Sequence, residues 1–128
     1  MIVIDTSAAV ALTTGEPECT VLAKKLAVHP DRSMSPVSYT ELVMVLSRSY
    51  SQPKAAADKF IADMRIIVLS VDQDQSQQAV YAFLTYGKGR HPAKLNLGDC
   101  FSYAAAKVLN APLLYVGGDF AKTDIKAA

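Results

Sequence analysis

The chain has 128 residues, a length that suits one compact domain, 1–128, and leaves little room for a second. Apolar residues make up 51% and charged residues 20%, so it can bury a core and is not a disordered segment. A net charge of +1 excludes a uniformly basic nucleic-acid coat; contact with a polyanion would need local basic patches or bound metal.

Two cysteines, Cys19 and Cys100, are too few and too far apart for a disulfide or zinc framework, and the histidines, His29 and His91, do not pair with them. Reduced thiols in a cytosolic protein are expected. Asp5 interrupts the first apolar run before a signal-peptide core develops, and no stretch approaches the roughly 20 apolar residues of a membrane span. The expectation is a soluble, cytoplasmic protein.

In chain order, Ile2-Val3-Ile4 reads as a short strand, ended by Asp5-Thr6-Ser7, with Ser7 placed to cap a helix over Ala8–Leu12 that Gly15 breaks. A second helix is predicted from near Pro17 to about Val28, then a turn at His29-Pro30-Asp31 and a short strand at Ser33-Met34-Ser35. From Val37, the apolar residues Tyr39, Leu42, Val43, Leu46 and Tyr50 fall at helical spacing. Another helix covers Lys54 to about Met64, with Phe60, Ile61 and Met64 inward. Ile66-Ile67-Val68-Leu69 is an unbroken apolar run, the pattern of a strand buried on both faces.

Asp72 or Asp74 can cap a helix to about Tyr86, and Gly87 to Pro92 form a loop. The next helix opens at Gly98-Asp99 and runs through the alanine-rich stretch to about Leu109, stopped by Asn110 and Pro112. Leu113-Leu114-Tyr115-Val116 is the last predicted strand, and Gly117-Gly118-Asp119 turns the chain into a short terminal helix. Strands interleaved with helices argue for an α/β fold with a parallel sheet covered on both faces. The carboxyl ends of such strands share one edge, where ligands of open α/β sheets bind.

Twelve acids occur in the chain, and four stand in telling settings. Asp5 follows the first strand, Glu41 lies on an apolar helix, Asp99 opens the most apolar helix, where exposure to solvent is not expected, and Asp119 follows the last strand. Asp5 and Asp99 each also read as helix caps, Glu41 as a helix-flank acid and Asp119 as a turn residue. Taken together, acids on buried elements need compensation, and no matching set of lysines or arginines flanks them. A hard divalent cation, Mg²⁺ or Mn²⁺, meets that need with carboxylate ligands.

Four blocks carry a family resemblance. Ile2-Val3-Ile4-Asp5-Thr6-Ser7-Ala8 resembles the opening of PIN-domain proteins, Glu41 in Ser38-Tyr39-Thr40-Glu41-Leu42 their second acid, and Asp99 in Leu97-Gly98-Asp99-Cys100-Phe101-Ser102-Tyr103-Ala104 their third. Gly117-Gly118-Asp119-Phe120 with Thr123-Asp124-Ile125 resembles the C-terminal block of VapC-type toxins. The resemblance implies a Rossmann-like, three-layer α/β/α sandwich with a short parallel sheet. It also implies a Mg²⁺- or Mn²⁺-dependent endoribonuclease, the toxin of a type II toxin–antitoxin pair, with a VapB-type antitoxin and a homodimer. It carries over Asp5, Glu41, Asp99 and Asp119 as the acidic quartet, with Thr6 or Ser7 adding a hydroxyl. Asp124, five positions after Asp119, is an alternative fourth acid or an outer neighbour.

On this reading Asp5 and Asp99 hold the principal metal, while Glu41 and Asp119 complete its shell. Lys88, Arg90, His91 and Lys94 form the densest basic cluster, read either as a phosphate contact or as a solvated loop. Cys100 has no neighbouring base in sequence and reads as a small buried residue; the tyrosines Tyr39, Tyr50, Tyr81 and Tyr103 read as core or interface. An aspartyl-nucleophile phosphatase would carry a second acid where this chain has Ser7. A nucleotide- or phosphoacceptor-binding regulatory domain would need either a glycine-rich phosphate loop, which is absent, or an acidic pair beside a phosphorylated Asp. A catalytically silent PIN-like RNA- or protein-binding module is the remaining alternative.

Overall fold

Short strands, β-branched in β1 and β3 only, alternate with helices to give four strands and six helices in the computed structural model, which describes all of residues 1–128. Strands β1 (Ile2–Ile4), β2 (Arg32–Met34), β3 (Ile66–Val68) and β4 (Leu113–Leu114) form one sheet in the order β3-β2-β1-β4. All three pairings are parallel, so the four carboxyl ends point the same way. The helices are α1 (Thr6–Thr14), α2 (Cys19–Ala27), α3 (Pro36–Leu46), α4 (Pro53–Asp63), α5 (Gln73–Tyr86) and α6 (Leu97–Val108), with a 3₁₀ turn at Phe120–Lys122. The chain steps outward from β1 to β2 and β3, then returns through α5 and α6 to place β4 on the other side of β1. Strand order therefore reverses at β1, and the crevice outside such a reversal is where open α/β sheets bind ligands.

Alternation along β1 splits the core in two. Ile2 and Ile4 join Met34, Leu114 and the apolar faces of α1 to α4. Val3 points the other way, to Leu113 and the alanine-rich face of α6, with Ala79 and Ala82 of α5. The result is the three-layer α/β/α arrangement expected from the sequence.

Side-chain caps define where four helices begin. Asp5, Ser35, Asp72 and Asn96 each accept a backbone N–H, from Ser7, Val37, Gln75 and Asp99 respectively. Gly15 ends α1 at φ +69°, and Asn110 follows α6 at φ +49°. Arg32 ties three segments together, donating to the carbonyls of Leu26, His29 and Met64 at 2.8, 2.8 and 2.9 Å. Beyond β4, the tail returns so that Leu113 donates to Lys126 and Ala128 donates to Leu113, covering that strand's outer edge.

Several expectations are corrected. Asp5, not Ser7, caps α1, and the helix starts one residue after Asp5. Helix α2 begins at Cys19, because Pro17 and Glu18 lie in the preceding turn. Strand β3 is not buried on both faces: Ile66 packs into the core, but Ile67 is 65% exposed. The cause is topological, since β3 is the sheet edge and α6 packs over β1 and β4 instead. Strand β4 ends at Leu114, two residues sooner than the apolar run suggests, and α6 starts at Leu97 with Asn96 as its cap. No helix is long and apolar enough to cross a membrane.

Candidate active site

At the carboxyl end of β1, a cleft of about 330 Å³ is lined by Asp5, Thr6, Ser7, Glu41 and Asp99, closed by Val10, Val45 and Val116 and rimmed by Glu16. No lysine, arginine or histidine lines it. Three of the four acids singled out in the sequence thus converge, although 36 and 58 residues separate them in turn along the chain. Each arrives for a local reason: Asp5 caps α1, Glu41 sits one turn into α3, and Asp99 lies in the first turn of α6.

Asp5 is the most constrained, at 3% exposed. Its Oδ2 accepts from the backbone N–H of Ser7 at 3.0 Å and from the Ser7 hydroxyl at 2.6 Å. Its Oδ1 accepts from the Ser102 hydroxyl at 2.5 Å. Ser7 Oγ in turn accepts from the backbone N–H of Val116, joining β1 to the segment after β4. Glu41 Oε1 accepts from the Thr6 hydroxyl at 2.7 Å. Gly98 lets this carboxylate lie against the start of α6: a Cβ there would fall 2.3 Å from Glu41 Oε1.

Asp99 is partly buried rather than wholly so, and it completes a capping box, accepting from the backbone N–H of Asn96 at 3.0 Å. Burial pushes its carboxyl up to about 6. The Asn96 N–H opposes that rise, while the charges of Asp5, Glu41 and Asp119 add to it. No three of these side chains are drawn closely enough to hold an ion by themselves. Mg²⁺ suits such an arrangement, because it retains several waters and takes one or two carboxylates. Hard oxygen donors, mutual repulsion and the absence of basic residues in the cleft fit Mg²⁺ or Mn²⁺.

Asp119 is exposed, in the turn before the 3₁₀ segment, and does not line the cleft, although its charge reaches Asp99. Asp124 is placed elsewhere. It accepts from the Tyr103 hydroxyl at 2.7 Å and from Lys107 Nζ at 2.9 Å. Burial works to raise its carboxyl, but these bonds prevail and hold it below its ordinary value. Lys88, Arg90 and Lys94 are exposed on the loop between α5 and α6, outside the cleft. Arg90 lies over the Phe83 ring at 5.3 Å, and His91 Nδ1 accepts from the backbone N–H of Ala93. Cys100 is buried and its thiol is pushed up to about 11 by burial and by Asp99, which leaves it unreactive.

Two residues escaped attention in the sequence. Ser38 and Ser102 are fully buried, and their hydroxyls meet at 2.9 Å beneath Asp5. Their signal is spacing: Ser38 lies three residues before Glu41 and Ser102 three after Asp99, each one helical turn away on an apolar face. Glu16, on the rim, carried no signal.

The PIN-domain family model matches residues 2–126. A relative named Ribonuclease VapC from Mycolicibacterium smegmatis is 44% identical over 126 residues, covering 98% of each chain. Ribonuclease VapC42 of Mycobacterium tuberculosis is 43% identical over 129 residues, again covering 98% of each. Among solved structures, M. tuberculosis VapC20, described as a sarcin-ricin loop cleaving toxin, superposes with a TM-score of 0.77 at 22% identity, covering 100% of this chain and 98% of that one. VapBC-1 from nontypeable Haemophilus influenzae gives 0.76 at 24% identity, covering 100% and 97%. These superpositions bear on the fold, and the two closer sequences on the family. By that family model and those relatives, the chain belongs to the PIN-domain family, among the VapC ribonucleases.

Proposed function

We propose that the protein is a Mg²⁺- or Mn²⁺-dependent endoribonuclease, the toxin of a type II toxin–antitoxin pair. The observation that carries this reading is the convergence of Asp5, Glu41 and Asp99 on a cleft that no basic side chain lines. Family membership supplies the substrate class, and the names of the relatives agree with it.

Asp5 and Asp99 would hold the ion, with Glu41 and Asp119 completing its surroundings through water. A bound divalent ion supplies an acidified water as nucleophile and neutralises charge growing on the phosphate. The protein's share is positioning. Ser7 and Ser102 fix Asp5, Thr6 and Gly98 seat Glu41, and the Asn96 cap orients Asp99. We assign the fourth acid to Asp119 rather than Asp124, whose oxygens are taken up by Tyr103 and Lys107.

A VapB-type antitoxin is the expected partner, since structural neighbours include VapBC complexes. Exposed Val80, Phe83, Leu84 and Leu97, about an apolar groove between α5 and α6, favour self-association into a homodimer. Light scattering on the purified chain should give twice the chain mass; a single chain mass throughout would remove the dimer from the reading.

The deciding experiment incubates purified protein with RNA in Mn²⁺ or in EDTA, beside Asp5→Asn and Asp99→Asn. Cleavage is expected only for the unmodified chain with metal. Undiminished cleavage in EDTA, or full activity in either variant, would sink the proposal.

A further inference from the structure

We propose that Ser102, backed by Ser38, is a positioning residue for Asp5, selecting the one oxygen lone pair that this carboxylate offers to a metal ion. The inference rests on the metal-dependent reading above.

Proton direction is decided by chemistry. A carboxylate oxygen only accepts, so the 2.5 Å contact has Ser102 donating to Asp5 Oδ1. Its single proton spent, the Ser102 oxygen is left to accept, and Ser38 donates to it at 2.9 Å. The chain runs one way, from Ser38 on α3 through Ser102 on α6 to Asp5 at the end of β1. Both hydroxyls are 0% exposed, so no water competes for these bonds.

Counting lone pairs gives the consequence. Oδ2 is saturated by the Ser7 amide and hydroxyl. Oδ1 has one lone pair engaged by Ser102, which leaves a single lone pair on the whole carboxylate for a cation. Without the Ser102 donor, Asp5 keeps its place but loses the restraint that selects this geometry. Neighbours that orient a ligating side chain typically contribute 10- to 100-fold in metal affinity. Packing alone does not require a hydroxyl here: the other buried positions of α6 are filled by Gly98, Cys100, Tyr103 and three alanines.

The test measures Mn²⁺ binding by titration calorimetry, with thermal melting of the metal-free protein alongside. Ser102→Ala should weaken Mn²⁺ about tenfold or more, and Ser38→Ala, which leaves the final bond intact, by only about two- to threefold. The double variant should match Ser102→Ala, because Ser38 acts through Ser102. Ser102→Cys conserves volume but donates weakly, so it should also bind Mn²⁺ poorly; affinity restored by Cys would mean that packing is the role and overturn the proposal. Unchanged affinity in Ser102→Ala with a lowered melting point would overturn it equally. Should Ser102→Ala not fold, the Cys and Ser38 variants carry the same comparison. Asp5→Asn separates the two levels: Mn²⁺ binding that survives it removes the metal reading itself, whereas normal binding in the serine variants with loss in Asp5→Asn removes only the serine device.

Discussion

At Asp99 two demands meet in one carboxylate. As the third residue of α6 it completes a capping box, and its charge suits the positive end of the helix. As a wall of the cleft it is part-buried beside other acids, which raises its carboxyl to about 6. Between the ordinary value of 3.8 and about 6, the folded chain therefore holds a proton that the unfolded chain has released. More protons on the folded form means that this carboxyl's contribution to metal-free stability is fullest below the window and falls as pH rises through it. The loss should be on the order of 1–3 kcal/mol and complete above pH 6 to 7. Asp99→Asn keeps an acceptor for the cap but removes the charge, so its difference from the unmodified chain, by urea unfolding in EDTA, should grow in its favour from pH 4 to pH 7. Parallel curves would contradict the assignment. Gly98 gives a second test nearby. Alanine there improves helix propensity by up to about 1 kcal/mol, and what it displaces is the carboxylate at the end of the Glu41 side chain. Gly98→Ala should leave melting unchanged or slightly raised while cleavage falls about 10- to 100-fold, the pattern of a displaced site rather than a damaged fold.

Element by element, what the sequence made legible was whatever depends on neighbours along the chain. Strand β1, Gly15 and the stop at Asn110 follow from local chemistry and appear where expected, and of the two caps open for α5 the structure takes Asp72. The exposed face of Ile67 was not legible, because an apolar run cannot say whether its strand is central or at an edge. The same limit explains the site. Asp5, Glu41 and Asp99 could be picked out by setting and family blocks, but Ser38 and Ser102 meet only because α3 packs on α6, a fact of tertiary structure. Arg32 was hidden for that reason too: between a turn and a short strand, it looks in sequence like an ordinary surface cation. Its guanidinium instead donates to the Leu26 carbonyl in α2, which also accepts the His29 N–H, and to the His29 and Met64 carbonyls just beyond α2 and α4. Arg32→Ala should cost about 2–4 kcal/mol, and Arg32→Lys roughly half, since an ammonium lacks the planar fork. A lowered urea midpoint with an unchanged m-value is the expected reading; a loss under about 0.5 kcal/mol would mean water replaces the fork.

For the whole molecule, the difficulty is electrostatic: an acidic cleft has to receive a polyanion on a protein whose net charge is only +1. On the proposed reading a bound metal would answer part of this, and the remainder would fall to the loop between α5 and α6, which carries Lys88, Arg90 and Lys94 and leads through Asn96 into the helix that bears Asp99. That loop has a defined shape. Gly87 pairs with Leu95, Ala93 donates to His91, and Arg90 is held over Phe83. Cations held in place lose less freedom on meeting phosphate than cations on a free segment would. Since each single-strand phosphate contact contributes roughly 0.7 to the slope of log affinity against log salt, Arg90→Ala with Lys94→Ala should flatten that slope by about 1.4. The measurement is best made in an Asp99→Asn background, so that RNA is bound without being cut. With Asp99 intact, the double substitution leaves the cleft lining untouched, so its melting point and Mn²⁺ affinity should stay those of the unmodified chain. An unaltered slope would place the RNA path elsewhere; a flattened slope with intact Mn²⁺ binding would divide the work, with substrate capture on the loop and chemistry at the acids.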